Sequence, residues 1–257
     1  MIFFSIAGPI FICNNMRLLY PWSVLLALLC ASHSFAQKPV DPATYLDSLK
    51  AELVRPWPGN RTINLVFHGH SVPAGYFKTP VVNTLQSYPN LLLQLIKAQY
   101  PHAVVNVIVT AIGGENSASG SARFEKEVLA HSPDVIFIDY SLNDIGLGLD
   151  KARTCWEEMI RQALNQGIPV ILLTPTPDQR FNILDSQTEL KRHADQVISL
   201  AQKFQTGLID SYGIFRKKVE SGIPLTDLMS QVNHPNAAGH LLVAQELFRY
   251  FQPAIGR

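Results

Sequence analysis

Five short apolar runs, each separated from the next by a longer amphipathic stretch, constrain this chain more than any other feature. They are Ile63–Phe67, Val104–Val109, Val135–Tyr140, Ile168–Leu173 and the shorter Gly207–Asp210. Four are rich in Val and Ile and largely continuous in apolar character, so they read as strands buried on both faces. Between them the apolar residues take up helical spacing. Pro89 can open a helix carrying Leu92, Leu95 and Ile96. Trp156, Met159, Ile160 and Ala163 share one helix face, as do Val197, Leu200, Ala201 and Phe204, and the spacing recurs approximately in Leu241, Ala244 and Phe248. Alternation of this kind predicts an α/β fold, a parallel sheet covered by helices on both sides. No repeat, low-complexity tract or linker interrupts the sequence after Gln37, so one domain over 37–257 is expected.

Composition narrows the function classes. Lys and Arg number 21 against 20 Asp and Glu, which removes the usual electrostatic case for a nucleic-acid partner. With 47% apolar and 16% charged residues the chain is expected to fold rather than remain disordered. Residues 1–36 read as an export signal: Arg17 supplies the positive start, Val24–Leu29 the apolar run, and Ser34 and Ala36 the small residues before a cut at Gln37. Met16 is an alternative true start. The apolar run is too short for a bilayer of roughly 30 Å, although an uncleaved anchor, or lipidation at Cys30, is the competing reading. Cleavage leaves Cys155 as the sole cysteine, expected to be a buried thiol, and no internal disulfide. The expectation is a secreted or periplasmic protein without stable membrane association after cleavage. The Asn60-Arg61-Thr62 sequon has meaning only in a eukaryotic host.

In a parallel sheet the loops after the strands gather at one edge, where ligands bind. Four loops there carry polar residues. After the first strand comes Gly69-His70-Ser71, with a hydroxyl where a helix could begin, and after the second comes Gly113-Gly114-Glu115. After the third comes Asn143-Asp144, a neutral amide donor suited to an oxyanion. Before the last helix His234-Pro235-Asn236 puts an imidazole on a loop, where it can take a serine proton near neutral pH. Taken alone, each block also suits a helix cap, an ordinary turn or a surface histidine.

The ordered set Ser, Gly, Asn, His resembles the SGNH hydrolase superfamily, also called GDSL esterases, over nearly the whole stretch from Ile63 to Phe251. The resemblance implies a three-layer flavodoxin-like fold with a five-stranded parallel sheet in the order 2-1-3-4-5. It also implies ester hydrolysis through an acyl-enzyme, with no metal and no cofactor. Ser71 would be the nucleophile and His234 the general base. The backbone N–H groups of Ser71 and Gly114, with the amide of Asn143, would form the oxyanion hole.

The sequence departs from the family pattern at three places. His70 stands where the family has aspartate, Ser141 stands for a glycine, and Gln231 occupies the position of the aspartate three residues before the histidine. Two groups compete to orient His234: Gln231 through its carbonyl, and Asp227, seven residues upstream, as an alternative acid. A Ser–His dyad is the third possibility.

Resemblance to secreted members implies short acyl groups, such as acetyl on a carbohydrate or other small-molecule ester, with a lipid or thioester as the alternative. A catalytically silent binding module and a zinc site built from His68 and His70, alternating at a strand end, are the rival readings. Glu115, His102, His131, His193 and His240 read as surface or structural groups. Asp178 and Arg180, after the fourth strand, are either substrate contacts or parts of a rigid loop.

Overall fold

The computed structural model describes residues 40–253. The expected export signal, with Met16, Arg17 and Cys30, lies outside them. Two helices, α1 (Pro42–Tyr45) and α2 (Asp47–Leu53), precede strand β1 (Thr62–Gly69), the short helix α3 (Ser71–Ala74) and α4 (Tyr88–Gln99). Then come β2 (Val104–Val109), α5 (Ser117–Glu127), β3 (Val135–Asp139), α6 (Leu149–Asn165) and β4 (Val170–Leu173). The chain continues through α7 (Glu189–Phe204), β5 (Gly207–Ile209), α8 (Ser211–Glu220), a small hairpin of β6 (Met229–Gln231) and β7 (His234–Pro235), and α9 (Ala237–Phe248).

The five main strands are parallel and run in the order β2-β1-β3-β4-β5. Because side chains alternate across a strand, each buried strand feeds two cores. Ile63, Leu65 and Phe67 of β1, Phe137 of β3 and Ile171 of β4 pack with Leu49 of α2, Leu92 and Ile96 of α4, Phe215 of α8 and Val243 of α9. Val66, Ile136, Ile138 and Leu172 turn the other way onto Phe124 of α5, Trp156 and Met159 of α6, and Leu200 of α7. That is the three-layer α/β/α arrangement expected, in the expected strand order.

Strand order reverses direction beside β1, so the ends of β1, β2 and β3 open a crevice at this edge. The pairing of β1 with β3 leaves no room for a side chain at its end, where Gly69 faces Asp139. A Cβ on Gly69 would sit 2.4 Å from the Asp139 carbonyl oxygen and 2.8 Å from Pro73 Cγ. Only glycine lets the chain turn into α3 against β3 at that point.

Candidate active site

Ser71 is the first residue of α3. His70 precedes it in extended conformation, and its Nδ1 accepts a hydrogen bond from Val72 N–H at 3.1 Å. A neutral ring that accepts at Nδ1 carries its proton on Nε2, and Nε2 faces Asp139 Oδ1 at 3.4 Å, with both side chains buried. Tyr88 donates its hydroxyl to the other Asp139 oxygen at 3.0 Å. His70, in the place of an aspartate, thus bonds the serine turn through Nδ1 and sets its other ring nitrogen beside the end of β3, without a hydrogen bond to it. As the first helical residue, Ser71 has a main-chain N–H with no partner inside the helix.

Gly114 has φ +83°, a left-handed conformation that turns the loop after β2 toward the crevice. Its neighbour Glu115 is held by Arg123, whose Nε lies 3.1 and 3.0 Å from the two carboxylate oxygens. Arg123 also donates to the Thr110 carbonyl at 2.7 Å, so α5 grips the loop at both ends. Asn143 donates one amide hydrogen to the Glu115 carbonyl at 2.7 Å. An amide carries two, and Asn143 lines the cavity that the second can reach. Asp144, fully buried, accepts from Ser117 N–H and from Trp156 Nε1, both at 2.7 Å. It clamps the Asn143 turn to α5 and α6, and burial pushes its carboxyl above the usual value.

The β6–β7 hairpin carries His234 back over α3, and Ser71 Oγ lies 2.9 Å from His234 Nε2. The other ring nitrogen, Nδ1, sits 2.7 Å from the Phe77 carbonyl oxygen. A carbonyl only accepts, so Nδ1 carries the proton, and Nε2 is left with a lone pair aimed at the serine hydroxyl.

Gln231 does not present its carbonyl to the ring, contrary to expectation. Its Oε1 accepts from Thr79 N–H at 3.0 Å, and its Nε2 donates to Asn233 Oδ1 at 3.2 Å. The Gln231 nitrogen is 2.8 Å from Nδ1, but a protonated Nδ1 has no lone pair to offer it. The orienting acceptor is a peptide group from 157 residues away in sequence. Asp227 is exposed in the turn before β6, and among the described residues it meets this region through its main-chain oxygen, which accepts from Asn236 Nδ2 at 2.8 Å. Burial pulls His234 below the usual imidazole pKa; the Phe77 carbonyl opposes this, and the His70 imidazole adds a smaller downward push.

Ser71, Gly114, Asn143 and His234 line one cavity of about 300 Å³, open to solvent. The profile of the GDSL-like lipase/acylhydrolase family matches residues 67–242. The chain belongs to this family. It is therefore an ester hydrolase. An acetylxylan esterase from Geobacillus stearothermophilus is 26% identical over 179 residues, covering 63% of this chain and 79% of the relative. The crystal structure of an acetylxylan esterase from that organism superposes with a TM-score of 0.63 at 21% identity, over 74% of this chain and 94% of the other. A two-domain esterase active on acetylated mannans gives a TM-score of 0.66 at 20% identity, over 83% of this chain and 55% of that one. At these identities the structures speak for the fold.

His68 is enclosed, its Nδ1 2.9 Å from Thr110 Oγ1 and its Nε2 3.1 Å from both the Gly120 carbonyl and Tyr140 hydroxyl. Burial, with the Arg123 charge nearby, pulls its pKa to about 3. The His68 and His70 rings thus serve different neighbours, and among the described residues no group of three candidate ligands gathers around a metal position. His240 is buried at the start of α9, its Nδ1 accepting Tyr88 N–H at 3.2 Å. His102 and His131 are exposed and His193 is buried.

Asp178 is buried and bonded to Arg180 Nε and Nη2, and neither residue lines the cavity. Their loop props the hairpin instead, with Gln179 N–H donating to the Val232 carbonyl at 2.8 Å. Cys155 is half-buried rather than buried. No residue-type signal in the sequence marks the Phe77 carbonyl, because any amino acid supplies one.

Proposed function

We infer that this hydrolase is a secreted serine esterase that removes short acyl groups, acetyl above all, from carbohydrate esters. The observation that carries the reading is the 2.9 Å approach of Ser71 Oγ to His234 Nε2 inside a cavity lined by Gly114 and Asn143. Ser71 attacks the ester carbonyl as His234 Nε2 takes its proton. The main-chain N–H groups of Ser71 and Gly114 and the Asn143 amide hold the negative oxygen of the tetrahedral intermediate. His234 returns the proton to the leaving alcohol. A water then gives its proton to His234 and attacks the acyl-serine, which releases the acid and restores the hydroxyl. The Phe77 carbonyl fixes ring and tautomer throughout. No step uses a metal or cofactor.

The acetylxylan esterase relative and the fold of an esterase active on acetylated mannans support an acetylated carbohydrate as substrate. So does the polar character of Thr79, Gln231 and Asn233 at the cavity. Export rests on the sequence of residues 1–36, and among the described residues no helix is long and apolar enough to cross a membrane.

A lipid or thioester substrate is the second reading. It is favoured by exposed Val82 and Leu85, which follow the cavity-lining Tyr76 and Thr79, and by exposed Ile112 next to Gly113.

Purified protein should release acetate from nitrophenyl acetate and from acetylated xylo-oligosaccharides, and a fluorophosphonate probe should label Ser71. Ser71→Ala should abolish both while circular dichroism stays unchanged. Asn143→Ala should lower kcat by about 10²–10³-fold. Full turnover in Ser71→Ala protein would sink the assignment. Preference for long-chain esters or acyl thioesters over acetyl sugars would select the second reading.

A further inference from the structure

The cavity around Ser71 has two chemically different sides. One is polar and continuous: Thr79 N–H donates to Gln231 Oε1, and Gln231 Nε2 donates to Asn233 Oδ1. All three residues line the cavity, and the strip passes directly by His234. The other side is Tyr76. Its ring lies against Gly113, where an added Cβ would meet Tyr76 Cζ at 3.1 Å and Cε2 and the hydroxyl at 3.2 Å. The ring centroid is 6.0 Å from that of His234. Tyr76 therefore stands between the glycine loop and the imidazole.

Tyr76 is fixed there by its backbone. It bridges Val82 in antiparallel fashion, Phe77 N–H donates to the Val81 carbonyl at 3.0 Å, and Asn83 N–H donates to the Gly75 carbonyl at 2.7 Å. The same short turn supplies the Phe77 carbonyl to His234. No hydrogen-bond partner engages the Tyr76 hydroxyl among the described residues, so the ring is not held by its polar end.

We propose that Tyr76 is the residue that limits acyl length, its ring closing the acyl side of the cavity while the Thr79–Gln231–Asn233 strip receives the alcohol. This rests on the esterase reading above and deepens it. The tetrahedral carbon has four substituents: Ser71 Oγ, the oxyanion, the leaving oxygen and the acyl carbon. The oxyanion faces Gly114 and Asn143. The leaving oxygen must face His234 Nε2 to receive its proton, so the alcohol continues along the polar strip beside that ring, where a sugar finds donors and acceptors. The acyl carbon is left with the aromatic wall. A methyl group suits an apolar ring lying against a glycine, and a longer chain runs into the ring.

The test is the kcat/KM ratio of nitrophenyl hexanoate to nitrophenyl acetate. Tyr76→Ala should raise it at least about tenfold, since pocket contacts to methylene groups change selectivity by factors of this order. Tyr76→Val, which keeps a β-branched residue in the bridge to Val82, should move the ratio the same way and covers the case in which the alanine variant misfolds. Tyr76→Phe should keep the wild-type ratio, because the ring and not the hydroxyl sets the limit. Varying the alcohol at constant acetyl should leave the selectivity order of Tyr76→Val unchanged.

An unaltered acyl ratio in an active Tyr76→Val protein overturns the role of Tyr76 and leaves the esterase reading standing. A changed alcohol order with an unchanged acyl ratio overturns it too and moves the ring to the other side. A wild-type protein that hydrolyses no ester and leaves Ser71 unlabelled overturns both readings.

Discussion

Gln231 occupies the position from which a carboxylate would face His234, and a peptide oxygen has taken over the contact. A carbonyl dipole fixes the tautomer but adds no net charge to stabilise the imidazolium formed during attack. Losing the aspartate of a full triad costs about 10⁴-fold in kcat. Gln231→Ala should cost far less, about tenfold or under, because Phe77 still holds Nδ1; steady-state rates on nitrophenyl acetate check this. The pH profile follows from the same geometry. His234 must be neutral to accept the serine proton, and burial depresses its pKa below the ordinary 6.5. The acidic limb of kcat/KM should therefore lie at lower pH than an ordinary imidazole would place it, with activity falling as the ring protonates. Gln231→Asp places a negative charge beside the ring, favours its charged form and should move the acidic limb of kcat/KM upward. That Ser71, Gly114, Asn143 and His234 gather at one cavity was legible through the family resemblance, because its motif consists of particular side chains and a glycine. Their orienting partner was not, since hydrogen bonding by main chain leaves residue identity free.

At the scale of elements, the approach of β1 to β3 at Gly69 decides where Ser71 stands. Gly69→Ala would drive a methyl group into the Asp139 carbonyl, 2.4 Å away, and neither strand can retreat without breaking the sheet. Overpacking of this kind typically costs about 1–3 kcal/mol. The variant should show a lowered urea midpoint together with reduced kcat, though residue 69 is not among those lining the cavity. The five strands and the helices α4, α6, α7 and α9 were readable because the strands are short apolar runs and helix faces repeat every three to four residues; the edge strand β2, expected to be buried on both faces, is instead half-buried or exposed along its length. The β6–β7 hairpin and the turn from Tyr76 to Val82 were not. Both are built from backbone bonds between polar or mixed residues, such as Thr79 N–H to Gln231 and Gln179 N–H to Val232, and such pairings impose no periodicity. The parts of the site hardest to read are therefore the two segments that orient the base.

For the molecule as a whole, buried imidazoles make stability depend on acidity. Burial pulls His68 and His240 to about 3, and both are neutral in the fold. An unfolded histidine protonates near 6.5, so below that pH the unfolded chain takes up protons that the native state refuses. Their contribution is fully present above 6.5 and is lost as the pH falls toward 3, each imidazole weakening the fold by up to about 1.4 kcal/mol per pH unit in between. Urea midpoints measured from pH 7 to pH 4 should fall steadily, and His240→Gln should flatten the curve; equal midpoints across that range would contradict the assignment. The layered architecture was legible at this scale because apolar strands joined by amphipathic helices call for a covered parallel sheet, whereas the strand order came from the family resemblance. The Ser71–His234 contact joins residues 163 positions apart, the second of them borne on the hairpin just ahead of the final helix. Synthesis of the hydroxyl therefore precedes that of the imidazole by most of the sheet, and a chain cut anywhere between the two holds a serine without the ring that faces it.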